Sequence, residues 1–184
     1  MEIFDWQQFE LETDRLYLKK ITPTVLKQLF EKHSKEFIID FLGLQNEKEW
    51  EREQERIVGG YQTHDRTYLA FVMVLKENHQ TIGRSGYHHW YPKHYRAELG
   101  YALNHDKHKQ QGYMKEAVKA IIDYGFENMN LRRIEAYVGP TNEASLKIMM
   151  HFNFQQEGYL KKHYVYDDVS EDSVVFSLLR EEFV

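Results

Sequence analysis

The chain has 184 residues, with 24 lysines and arginines against 29 aspartates and glutamates, and no cysteine. A net charge of −5 argues against a general nucleic-acid binder, and the missing cysteines exclude disulfides, thiolate metal sites and a cysteine nucleophile. The length suits one domain over residues 1–184, no apolar run approaches a membrane span, and the acidic start Met1-Glu2-Ile3-Phe4-Asp5-Trp6 lacks a signal-peptide pattern, so a cytoplasmic protein is expected.

Arg15 to Ile21 reads as a first strand, with Leu16 and Leu18 alternating. Thr22-Pro23-Thr24 opens a helix in which Thr24 is the expected cap and Val25, Leu26, Leu29 and Phe30 form the apolar face. Phe37 to Leu42 reads as a short helix ending at Gly43. Glu47 to Tyr61 is a charged helix with a narrow stripe of Trp50, Ile57, Val58 and Tyr61, ended by Gly59-Gly60. Thr67 to Leu75 is apolar on both faces, as a central strand should be. Asn78-His79-Gln80 turns it into a returning strand, Thr81 to Trp90. Pro92 to Arg96 turns again.

The next stretch organises the chain. Leu99, Tyr101 and Leu103 alternate with Glu98, Gly100 and Ala102, a strand period. From Met114 the apolar positions change to Ala117, Val118, Ile121, Ile122 and Phe126, a helix period. Gly112 falls between them, where the first helical amides lack partners. Such an end attracts phosphate through its donors and dipole, and Lys107, Lys109 and Lys115 add positive charge. A glycine turn of this kind is also common without any ligand.

Asn128-Met129-Asn130 ends the helix, and Arg133 to Val138 forms another strand. The intervening helix makes this strand a parallel neighbour of the Glu98 strand. Asn142 caps a helix running to Phe152, and Asn153 supplies a left-handed exit. Gln155 to Tyr166 and Ser173 to Leu179 close the chain as a hairpin joined by the acidic loop Asp167–Asp172. The fold class expected is α+β, a mixed sheet flanked by helices.

In this order the motifs resemble the GNAT superfamily of acyl-CoA-dependent N-acetyltransferases, and within it the RimJ/RimL-type branch. The likeness runs from Leu11-Glu12-Thr13-Asp14-Arg15-Leu16 to Phe176-Ser177-Leu178-Leu179. Ala97 to Leu103 is similar to the family's fourth strand, and Lys109-Gln110-Gln111-Gly112-Tyr113-Met114-Lys115-Glu116-Ala117 to its pyrophosphate loop. Asn142-Glu143-Ala144-Ser145, with Phe152-Asn153-Phe154 and Glu157-Gly158, is similar to its next helix and strand. The resemblance implies a mostly antiparallel sheet with helices on both faces. Its central parallel pair would splay where the fourth strand carries a β-bulge. Acetyl-CoA would then be the co-substrate, with no metal needed. Its pantetheine arm would pair with Tyr101, Ala102 and Leu103, and its diphosphate would sit on the amides from Lys109, Gln110, Gln111, Gly112, Tyr113 and Met114 to Lys115. Gly100 would give the backbone freedom near the splay.

The implied reaction needs a neutral amine and therefore a base. Glu98 is the first candidate; the alternative is a strand-end glutamate pairing with Arg96 or solvent. His88 and His89 are further candidates, and alternation points one to each face. The spacing of His88, His89, His94, His105 and His108 fits no metal site. An amide near Ala102 or Leu103 would meet the oxyanion. Ser145 would protonate the leaving thiolate, with Asn142 on the same helix face against the pantetheine; capping and packing are the structural alternatives for those two. Four positions depart from the family pattern. Lys109 replaces arginine or glutamine, Met114 a small residue, Met149 a tyrosine acid and Asn153 a glycine. Met114 must therefore point into the core. The acceptor would be a protein N-terminus, a polyamine or another small amine, in a cleft lined by the N-terminal helices and the closing hairpin. Neither nucleic acid nor membrane is expected, and the aromatic content is compatible with a homodimer. The competing reading is a non-catalytic acyl-CoA-binding or regulatory module on the same fold.

Overall fold

The computed structural model describes residues 11–59, 63, 65–166 and 168–183. Among them the strands β1 (Leu11–Glu12), β2 (Leu16–Ile21), β3 (Thr67–Leu75), β4 (Thr81–Tyr91), β5 (Arg96–Leu103), β6 (Arg133–Val138), β7 (Gln155–Tyr166) and β8 (Val169–Leu179) form one sheet. The spatial order is β1-β2-β3-β4-β5-β6-β8-β7. Every ladder is antiparallel except β5–β6. The helices are α1 (Pro23–Lys32), α2 (Lys35–Leu42), α3 (Glu47–Gly59), α4 (Tyr113–Glu127) and α5 (Glu143–His151). No helix among the described residues is long and apolar enough to cross a membrane.

Strand alternation divides the apolar residues between two layers. Leu69, Phe71 and Met73 of β3 join Ala97 and Leu99 of β5 against Ala117, Val118, Ile121 and Ile122 of α4 and Met149 of α5. Val72 and Val74 pack instead with Leu26, Leu29, Phe41 and Trp50 of the N-terminal helices. Helices therefore cover both faces, and each β5 side chain has a definite side. Ala97 and Leu99 look toward α4; Glu98 looks the other way. The Tyr87 hydroxyl fixes α4 to β4 by donating to the Ile121 carbonyl at 2.8 Å.

Several boundaries differ from the sequence reading. Thr22, not Thr24, caps α1, accepting the Val25 amide, because Pro23 takes the first helical position where its missing N–H costs nothing. Ser34 starts α2 two residues before the expected Phe37 by accepting the Phe37 amide. In α3, Trp50 is buried, while Tyr61 and Gly60 of the expected stripe and stop lie outside the described residues. The acidic loop is mostly strand. β8 already begins at Val169, and Asp172 accepts the Tyr159 hydroxyl at 2.6 Å and the Lys162 amide at 2.7 Å. Asp167 lies outside the described residues.

The face of β6–β8 turned away from α4 carries an ion-pair chain. Arg96 and Arg133 each bond the buried Glu135 at 2.7 Å, and Arg133 also donates to Glu157, which accepts the Ser177 hydroxyl at 2.7 Å. The Arg133 guanidinium, with Ser177, holds the Glu157 carboxyl at about 2, below its usual 4.5. A depressed carboxyl contributes stability in full above its unfolded value and loses it as pH falls through the folded one. The urea midpoint should therefore drop between pH 4.5 and about 2, and Glu157→Gln should lessen that drop. Equal acid sensitivity in both proteins would contradict this.

Candidate active site

The parallel β5–β6 ladder holds for three pairs only: Arg96 with Arg133, Ala97 with Ile134 and Glu98 with Glu135. β5 continues to Leu103 and β6 to Val138 without pairing, so the strands part beyond Glu98. Backbone groups on the β6 side of β5, from Leu99 to Leu103, thereby lose their ladder. They are available to an extended ligand that carries amides of its own.

The irregularity beside this parting lies in β4, not in β5 as expected. Tyr87 faces Leu99 and His89 faces Glu98, which leaves His88 as the extra residue. The β3 register slips at the same place, between Thr67 and Leu69. An inserted residue breaks alternation, so the two histidines do not take opposite faces. The His89 Nδ1 lies 2.6 Å from Glu98 Oε2. The His88 ring covers Gly100 so closely that a Cβ there would stand 2.4 Å from its Cε1. Gly100 is thus small to admit this ring, rather than to free the backbone. Glu98 pairs with His89 and not with Arg96, which binds Glu135 and stacks on Tyr91. The Glu98 side chain is 15 % exposed and that of His89 41 %, so the dyad is sheltered at one end and open at the other. Tyr137 stands near it: its phenol is pushed up by burial and then by the Glu135 and Glu98 charges.

The other face carries the candidate anion seat. Gln110 has φ 61° and Gly112 φ 81°, two left-handed residues that bring the chain sharply into α4. Gly112 caps α4 without a side-chain bond, and the first intrahelical bond there runs from the Glu116 amide to the Gly112 carbonyl at 3.0 Å. The amides of Tyr113, Met114 and Lys115 consequently face outward at the positive end of the helix. Met114 is buried in the core, as its size requires. Lys109 pairs with Asp106 at 2.6 Å. A cleft of about 580 Å³ opens at this helix start, lined among others by Arg15, Lys115, Lys119, His151 and Asn153. The cleft is also lined by Glu116, which holds Arg15, and by Glu182, so the exposed amides and Lys115 are what match the charge of a diphosphate, and the parted strands match the amide-bearing arm attached to it. The residues thus fit acetyl-CoA.

Arg15, Lys119 and His151 were not found by sequence reasoning, and Arg15 is the most closely bound. Its Nε lies 2.7 Å from Glu116 Oε2, its Nη1 donates to the Gln111 carbonyl at 2.9 Å, and its guanidinium covers the Tyr113 ring at 4.4 Å. Thr13 Oγ1 and the Arg15 amide donate to the other oxygen of Glu116, at 2.6 and 2.8 Å. Burial alone would raise this carboxyl; the Thr13 and Arg15 hydrogen bonds outweigh it and lower it. The β1–β2 turn is in this way latched to the first turn of α4. Glu116→Ala should cost about 1.5–3 kcal/mol in urea unfolding, the range for hydrogen bonds to a charged group. A loss below about 0.5 kcal/mol would show that the latch carries no load.

On α5, Asn142 accepts the Ser145 amide at 3.1 Å, so its cap is real. Ser145 is half-buried, while Met149 is fully buried in the core. Asn153 takes the left-handed φ of 58° expected of it.

The site thus combines a sheet parted beside one parallel pair, unpaired helix-start amides on one face and the Glu98–His89 pair on the other, the arrangement expected of an acyl-CoA-dependent transferase. Residues 15–155 match the acetyltransferase (GNAT) domain, and the chain belongs to that family: it is an acetyl-CoA-dependent N-acetyltransferase. It is 30% identical over 175 residues to an uncharacterized N-acetyltransferase of Bacillus subtilis (strain 168), YoaA, covering 92% of this chain and 96% of the relative. It is 28% identical over 119 residues to the ribosomal-protein-serine acetyltransferase of Escherichia coli (strain K12), covering 65% of each. Among solved structures, a GNAT-family acetyltransferase from Bacillus anthracis superposes with a TM-score of 0.66 at 24% identity, covering 94% of this chain and 99% of that one.

Proposed function

We propose that the chain moves the acetyl group of acetyl-CoA onto a primary amine by direct attack in a ternary complex, with the Glu98–His89 pair as the base. The observation that carries this reading is the position of that pair. It sits where β5 and β6 part, on the face opposite the anion seat, so a thioester threaded through the gap would present its carbonyl there. Tyr101, Ala102 and Leu103 hold the pantetheine arm through their backbone groups, and Lys109, Gln110, Gln111, Gly112, Tyr113, Met114 and Lys115 hold the diphosphate. Glu98 fixes His89 through Nδ1, leaving Nε2 to take the ammonium proton. A main-chain amide near Ala102 or Leu103 donates to the oxygen that gains charge.

The acceptor lies on the Glu98 face, between the N-terminal helices and the β7–β8 hairpin. A protein N-terminal amine is the reading closest to the name of the ribosomal-protein-serine relative; a polyamine or another small amine suits the same chemistry. The test is release of CoA from acetyl-CoA across a panel of N-terminal peptides, polyamines and amino acids, with acetylated product read by mass. Turnover with at least one class is expected. Tight acetyl-CoA binding with no turnover on any amine would leave a binding or regulatory module instead.

A further inference from the structure

The parallel β5–β6 ladder carries charge on two of its rungs. Arg96 stands opposite Arg133, and Glu98 opposite Glu135. The rung between them, Ala97 with Ile134, turns into the α4 layer. Strand alternation therefore puts all four charged side chains on the face where the Glu98–His89 pair lies. Like charges stand side by side on each rung, and opposite charges follow along each strand. The bonds formed are not symmetric. Glu135 takes both arginines, Arg96 Nη1 on Oε2 and Arg133 Nε on Oε1, each at 2.7 Å. Neither arginine bonds Glu98 among the described residues; its Oε2 lies 2.6 Å from His89 Nδ1 instead. The two arginines also differ. Arg133 has a second carboxylate in Glu157, whereas Glu135 is the carboxylate that Arg96 holds, its other contact being the Tyr91 ring at 4.0 Å. Both glutamate side chains are sheltered, 12 % exposed at Glu135 and 15 % at Glu98, and a guanidinium binds such a carboxylate more strongly than a neutral acceptor. Without the Glu135 charge, the next carboxylate on this face for Arg96 is Glu98, two residues along its own strand.

We propose that Glu135 is a positioning residue: by holding Arg96 it keeps that guanidinium off Glu98 and leaves the Glu98 carboxylate to His89. The inference rests on the acetyl-transfer reading above, in which the Glu98–His89 pair takes the ammonium proton. The bond at Nδ1 sets the orientation of the imidazole and leaves Nε2 for the amine. A Glu98 carboxylate clamped by Arg96 would give up that bond, and the ring would lose its aim. Arg133 poses no such threat, because Glu157 retains it when Glu135 loses its charge. Glu135 thus acts through Arg96 and touches neither co-substrate nor acceptor.

The experiment compares Glu135→Gln, Arg96→Met and the double variant, with kcat, CoA affinity and the urea midpoint measured on each. Glu135→Gln keeps the shape and removes the charge; kcat should fall by about 10- to 10²-fold, a large part of what a positioned base supplies, with CoA affinity within about twofold. Arg96→Met removes the competing guanidinium, and kcat should stay within about threefold of the unsubstituted protein. The double variant should recover to the same level, because Glu135 has nothing left to restrain. A bridge that served only the fold would give another order, with kcat following the urea midpoint through all three variants. That order, or a double variant as slow as Glu135→Gln, would overturn the proposal while leaving the transferase reading intact. If Glu135→Gln fails to fold, the double variant carries the test. The His89 ring signals, identified by their loss in His89→Gln, give a readout without turnover. They should move in Glu135→Gln and return in the double variant; signals unmoved in Glu135→Gln would overturn the steering of Arg96. No turnover by the unsubstituted protein on any amine would remove the transferase reading itself, and with it any catalytic role for Glu135.

Discussion

Glu98→Gln is expected to lower kcat for acetyl transfer by about 10²–10³-fold while the dissociation constant of acetyl-CoA changes less than about twofold. The substitution keeps the volume of the side chain and an oxygen able to accept from His89, 2.6 Å away. It removes the negative charge that faces the imidazole. The anion seat lies on the other side of the sheet, against α4, so the co-substrate should bind as before. His89→Gln should cost about as much, and the two together little more, because the residues form one base. If Glu98→Gln retained more than about a third of kcat at every pH, Glu98 would be only a fold residue, and the base would have to come from His88 or from water. Steady-state kinetics with a saturating amine and calorimetry with CoA separate these outcomes.

The second large effect is expected at the other end of the site. Gly112→Asp should weaken acetyl-CoA binding by at least about 10²-fold, close to the value of one or two hydrogen bonds to a charged group. Gly112 has φ 81°, so any side chain there carries a strain of about 1–2 kcal/mol. Its new Cβ would lie 3.4 Å from the Arg15 Nη2, an ordinary contact, and the fold should survive. The carboxylate would reach the open amides of Tyr113 to Lys115 and occupy the place of a phosphate. Gly112→Asn has nearly the same shape and no charge, and should cost about tenfold less. Equal effects of the two variants would mean that shape, not charge, decides binding at this turn.

Local sequence made much of this legible. The change from period two to period 3.6 around Gly112 marked the strand, the turn and α4, and the capping chemistry of Asn142 and the left-handed Asn153 followed from their residue types. What stayed hidden depends on partners brought together by the sheet. Strict alternation sends His88 and His89 to opposite faces. Only the register against Leu99 and Glu98 reveals that one residue is extra. Arg15 stands about a hundred positions from the Gln111 carbonyl and the Glu116 carboxylate that hold it, with no local pattern to join them. The polar run before Ser173 reads as a loop because its side chains face solvent. It is strand because β7 supplies the ladder, from Val165 with Ser170 to Leu160 with Ser173. One signal was present and not used: an arginine beside the first strand can answer the lone acidic residue in the first turn of α4.

The central claim is that the open amides starting α4 hold the diphosphate while the parted edge of β5 holds the arm that follows it. Amide proton–nitrogen spectra recorded during a CoA titration test this most directly. The largest shifts are expected at Gln111 to Lys115 and at Tyr101 to Leu103, both sets saturating at one CoA per chain, with the amides of α2 unmoved. Saturable binding whose shifts gather elsewhere, leaving both of those stretches unchanged, would contradict it.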